Sequence, residues 1–179
     1  MNIQNMKIQI INIFIIFLMP FYVHAQKSYI DKINQFNDKG QKEGYWTEDR
    51  DFDTIELYYR NGQKSGVFKS YSKKGTLLSF GEYIDGKITG TWYYFGDKGH
   101  LMMIQKNFNI NTDTVIIDNK KKYLYPYKCY TISYYPSGII KEEGILLWND
   151  DPIMDDSREY GEWKYYNEKG ELIRTKEFR

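Results

Sequence analysis

The 179-residue sequence predicts an all-β protein: an elongated antiparallel sheet made of stacked β-hairpins. Three observations carry that prediction. An aromatic phrase returns in fixed register, glycine-containing turns separate its copies, and beyond the N-terminal segment no stretch longer than about ten residues shows a helical stripe.

The phrase reads "GVFKSYSKKGTL" at 66–77, "GTWYYFGDKGHL" at 90–101 and "GEWKYYNEKGEL" at 161–172. Its frame is occupied by Gly66, Phe68, Tyr71, Gly75 and Leu77, then by Gly90, Trp92, Phe95, Gly99 and Leu101, then by Gly161, Trp163, Tyr166, Gly170 and Leu172. Gly44 and Trp46 mark a degraded earlier copy. "YYPSGII" marks another, in which Tyr135, Gly138 and Ile140 take frame positions and Ile132 stands for the tryptophan after a one-residue deletion.

Each copy reads as a hairpin because Tyr, Trp, Phe, Ile and Thr favour a pleated surface. Asn61-Gly62 and Asp85-Gly86 are dipeptides that accept positive φ in two-residue turns. Lys74-Gly75, Lys98-Gly99 and Lys169-Gly170 close longer loops with glycine in the left-handed position. A lone hairpin is marginal in water, so neighbouring units must share their apolar columns. Stacking predicts one ladder of Trp46, Phe68, Trp92 and Trp163, and a second of Leu77, Leu101, Ile140 and Leu172. Two stretches break the period and are expected as insertions, near 105–128 and 149–159. The first is expected to form a hairpin turning at Asp118-Asn119.

The opening "MNIQNMKIQIINIFIIFLMPFYVHAQKS" reads as an export signal over residues 1–25. Lys7 precedes a long apolar stretch, Pro20 breaks it, and Val23 and Ala25 have the spacing of a cleavage site. The expectation is a secreted or periplasmic protein, residues 26–179, with no stable membrane span after cleavage.

The chain holds 25 basic and 24 acidic residues; Lys7 is the only charge within 1–25, so 24 of each remain after cleavage. That balance points away from a nucleic-acid partner. Cys129 is the only cysteine, so no internal disulfide can staple the fold. Its alternating context, "YKCYTISYY", reads as a strand with a buried thiol.

"YIDGKITGTWYYFGDKGHL" and "YGEWKYYNEKGELIRTKEF" resemble the bacterial variant of the MORN repeat family, over roughly 36–105 and 130–179. The resemblance implies a twisted sheet of successive hairpins that scaffolds proteins or membrane surfaces without catalysis. Bacterial relatives often carry an antitoxin label, a cytoplasmic task at odds with an export signal. "WYYFGDKGHLM" also resembles aromatic cell-wall-binding repeats, which hold choline or glucan against stacked rings.

Catalytic chemistry finds little support in the sequence. His100 is the only histidine after residue 25, and it cannot build a zinc site with one thiol. Asp150, Asp151, Asp155 and Asp156 cluster without the spacing or glycine of a calcium loop, so they read as a solvated acidic loop. Nothing fixes Glu142 and Glu143 as a glycosidase pair. No metal, cofactor or catalytic residue is therefore expected. Positions two and four after each frame glycine share a face, which puts Trp92 with Tyr94 and Trp163 with Tyr165 on the better-buried side. The intervening column, Lys69, Tyr93 and Lys164, then faces outward as the candidate contact strip for a protein, an envelope surface or a glycan. The function expected is that of an exported binding or scaffolding module, with a carbohydrate-binding module as the alternative.

Overall fold

The computed structural model describes residues 33–112, 114–117, 121–149 and 157–179. The export signal, the Asp118-Asn119 turn and the acidic loop at 150–156 lie outside the described residues. Thirteen strands follow in chain order: β1 (Gln35–Phe36), β2 (Lys42–Asp49), β3 (Asp53–Arg60), β4 (Gln63–Ser72), β5 (Leu77–Ile84), β6 (Lys87–Phe95), β7 (Leu101–Ile110), β8 (Thr114–Ile117), β9 (Lys121–Leu124), β10 (Tyr127–Tyr134), β11 (Ile140–Trp148), β12 (Ser157–Tyr166) and β13 (Leu172–Phe178). Eleven form one open antiparallel sheet in the order β1-β2-β3-β4-β5-β6-β7-β10-β11-β12-β13, and β8 with β9 forms a separate hairpin. No described residue is helical. Every connection within the large sheet is to the next strand, as hairpin repeats require, with the β8–β9 hairpin inserted between β7 and β10.

The two ends of the sheet differ in turn chemistry. At one end Asn61-Gly62 and Asp85-Gly86 take φ of 50° and 78°, and 49° and 78°, in two-residue turns whose twist suits the flanking strands. Four longer turns at the other end, and the β1–β2 turn beside Asn61-Gly62 at the first end, share one hydrogen-bond pattern. The N–H of Asn37, Ser72, Gly96, Tyr135 and Asn167 each donates to the carbonyl four residues on, and the glycine three residues on donates back. Asn37 Oδ1 and Asn167 Oδ1 each accept two further backbone N–H groups.

This pattern fixes the register of the degraded copy. Tyr134 pairs with Ile140 across a register shift, as Tyr71 pairs with Leu77, Phe95 with Leu101 and Tyr166 with Leu172. Counting back, Thr131 and not Ile132 stands where Phe68, Trp92 and Trp163 stand, without a deletion, and Cys129 occupies the frame-glycine position. The frame glycines Gly66, Gly90 and Gly161 have φ of 77°, 67° and 65° and open bulges on their own strands. Cysteine resists that conformation. The irregularity moves to the partner strand, where Asn107 takes φ 59°, as asparagine does more readily than other side chains.

The core lies on one face. Trp46, Ile55, Leu57, Phe68 and Trp92 form its main cluster, flanked by Tyr59, Tyr83, Ile88, Tyr94 and Phe108. Trp92 and Trp163 are 4% and 2% exposed, on the buried side together with Tyr94 and Tyr165 as the alternation predicts. Each ring sits on a glycine of the preceding strand. A Cβ at Gly81 would fall 2.2 Å from the Trp92 ring, and one at Gly144 would fall 2.5 Å from Trp163. Phe68 reaches Trp92 across Gly81, with ring centroids 5.2 Å apart.

The single ladder of four rings is interrupted. Leu57 fills the gap between Trp46 and Phe68, while Gln105 and Thr131 occupy the row between Trp92 and Trp163. Leu172 is 54% exposed because β13 is an edge strand. Lys176 pairs in register with Trp163, in the place that Gly81 takes opposite Phe68. Its ammonium lies 3.9 Å from the centroid of the Phe178 ring.

The insertion between β7 and β10 is narrower than 105–128, because 105–110 and 127–128 stay in the large sheet. Ile117 pairs with Lys121, so the expected hairpin forms within it. A second cluster lies on the face opposite the main core: Tyr125, at the end of the insertion, packs with Leu147, flanked by Ile145 and Tyr160, and leaves Leu147 fully buried.

Candidate functional site

The open face opposite the core carries the predicted contact strip. Lys69, Tyr93 and Lys164 lie on one register row that crosses eight strands, running Glu56, Lys69, Phe80, Tyr93, Ile104, Ile132, Glu143, Lys164 from β3 to β12. All eight side chains are half-buried. Four apolar residues therefore occupy the middle of the row, with one acid–base pair on each side. Antiparallel pairing brings directly opposed side chains within contact, which makes the row continuous.

Its charges are held. Lys69 Nζ lies 3.8 Å from Glu56 Oε2, and Lys164 Nζ lies 3.6 Å from Glu162 Oε1. Glu143 Oε1 accepts a 2.7 Å hydrogen bond from the Tyr166 hydroxyl. Burial first, and then hydrogen bonding to Glu143, pushes the Tyr130 phenol up to about 12. Burial, aided by Glu143 and Tyr93, raises Tyr134 in the same direction. Both phenols therefore stay protonated and keep their O–H as a hydrogen-bond donor.

Sequence reasoning missed a second surface, on the core face at the two-residue-turn end. A groove of about 560 Å³ is lined there by Tyr59, Tyr83, Phe108, Tyr127 and Trp148, with Lys64 and Lys87 among its polar groups. Trp148 stacks on Tyr127 at 5.5 Å and 26°, and meets Phe108 edge-on at 5.6 Å. The Lys64 ammonium sits 5.0 Å from the centroid of the Tyr83 ring, and Lys42 lies 4.5 and 4.8 Å from those of Trp46 and Tyr59. These rings come from five strands, and no spacing in the sequence links them. The only signal was aromatic residues at the ends of strands beside the first insertion.

The remaining chemistry is quiet. The buried Cys129 thiol is pushed up to about 11 by desolvation, against a weaker opposing effect of the Thr131 hydroxyl. A thiol held neutral is a poor nucleophile. The His100 imidazole packs over Gly96, where a Cβ would lie 2.4 Å from its Cε1. Among the described residues, no three His, Cys, Asp or Glu side chains are grouped to hold a metal ion. The arrangement offers stacking, hydrogen bonding and charge pairing. Comparison with protein-family models, curated proteins and solved structures gives no match to this chain.

Proposed function

We propose that the chain is an exported, non-catalytic repeat protein of the MORN-like kind that binds another protein at the cell envelope through its open face. The observation that carries this reading is the row through Lys69, Tyr93 and Lys164, whose apolar centre and charged flanks have the composition of a protein contact surface. The signal-like residues 1–25 support export, and the recurring frame supports the kinship.

A photo-crosslinking side chain placed at Tyr93 in cells tests this reading. Discrete protein adducts, lost on secondary substitution of Ile104 by Arg, are expected; an absence of protein adducts overturns it. A second reading, glycan binding, is favoured by the ring-lined groove, because sugar faces stack on such rings. It expects retention on cell-wall polysaccharide that Trp148→Ala removes and that substitutions on the open face leave intact.

A further inference from the structure

We infer that the ring-lined groove on the core face binds an acidic saccharide chain, with Lys64 and Lys87 meeting its uronic-acid carboxylates. The inference rests on the glycan reading of that groove and adds the chemical class of the ligand.

The groove draws its lining from seven adjacent strands, from Tyr59 on β3 to Trp148 on β11. With strands about 4.8 Å apart, that is about 29 Å along the sheet, the reach of a chain and not of a single sugar. None of the lining residues is fully buried, so the rings keep open surface. An extended peptide gains little here, because each of these strands is already paired on both sides and offers no free backbone edge. Ring surface and point charges are what remain. The C–H faces of sugars pack on the first, and carboxylates answer the second.

The charges have one sign. Lys64 and Lys87 line the groove, and no Asp or Glu does. Among the described residues, neither lysine has an ion-pair partner. Lys64 is seated instead over the Tyr83 ring, 5.0 Å from its centroid. Asp85, in the turn before Lys87, pairs with neither. Glu48, which accepts a hydrogen bond from the Tyr59 hydroxyl, is already matched by Lys42 at 2.6 Å. The two lysines stand on β4 and β6, about 10 Å apart along the sheet, so one chain can bring an acid group to each. Net charge does not supply the preference, since the chain carries only +1. The groove is a local excess of positive charge set among rings, and hydrogen bonds from an ammonium to a carboxylate are the strong kind.

Calorimetric titration of the purified chain tests the inference, with oligogalacturonate and its fully methyl-esterified form as probes. The acid is expected to bind about tenfold or more tightly than the ester at low salt, and to lose most of that advantage as salt rises. K64Q and K87Q together remove the advantage and leave ester binding in place. K74Q, in a turn at the opposite end of the sheet, changes neither. Should the double variant fold poorly by circular dichroism, K87Q alone carries the test, with an expected loss of about threefold for the acid. Polyglutamate of matched length is expected to bind more weakly than the uronate. An ester bound as tightly as the acid overturns the inference, as do lysine variants that keep the preference or polyglutamate that binds as well as the uronate. Equal binding of acid and ester that Trp148→Ala abolishes leaves the glycan reading of the groove standing, whereas binding of neither probe sinks both.

Discussion

Gly81 and Gly144 owe their identity to what lies above them. Trp92 and Trp163 rest on their backbones where any Cβ would collide. Gly81→Ala is therefore expected to cost about 3 kcal/mol, the upper part of the usual range for overpacking, measured as a fall in the urea midpoint with an unchanged slope. A loss below about 0.5 kcal/mol would show that the ring is not seated there. Cys129 makes a complementary prediction. With its thiol buried and its ionisation pushed up to about 11, a thiol reagent at pH 8 should label the native chain only at the rate of opening and the urea-unfolded chain at once. Rapid labelling of native protein would put the thiol at the surface. Frame glycines and the Asn-Gly and Asp-Gly turns were legible in the sequence because backbone conformation restricts them directly. The seats at Gly81 and Gly144 were not, since they depend on which strand lies alongside.

At the scale of the element, the turn joining β2 to β3 departs from the others. Arg50 N–H donates to the Asp53 carbonyl, and the Arg50 guanidinium pairs with the Asp53 carboxylate, which also accepts a 2.6 Å hydrogen bond from Ser70. These contacts, Arg50 first, hold the Asp53 carboxyl below its ordinary 3.8. A depressed folded-state value means that the stabilisation is fully present above about pH 4, the unfolded value, and is lost as pH falls through the lower folded value. Thermal melts from about pH 5 to about pH 2 should therefore fall less steeply for Asp53→Asn than for the wild-type chain, and parallel profiles would remove Asp53 from the account. The degraded copy was misplaced by one residue from sequence because tyrosine occupies both 134 and 135. Only the turn hydrogen bonds select Tyr134 as the strand's last frame position.

For the whole molecule, hairpin order and which residues share a face were readable because strand alternation and turn chemistry are local. The unbroken ladder was not, since it assumed equal neighbours at every junction. In the row of Trp92 and Trp163 the rings give way to Gln105 and Thr131 at the β7–β10 junction, where the Phe108–Trp148–Tyr127 contacts at the strand ends are the aromatic bridge that remains. Coupling in a repeat array is a nearest-neighbour matter, so this junction should be the weakest. Hydrogen exchange is expected to resolve two cooperative units, β2–β7 and β10–β13. Trp163→Ala should accelerate exchange in β11–β13 while leaving β2–β6 at wild-type rates. Uniform acceleration across the sheet would make it one cooperative unit.

Lys176 on the outer strand bears on how large an assembly can grow. Another hairpin joining along β13 would have to lower its indole onto an ammonium already engaged with Phe178, so sideways accretion is penalised.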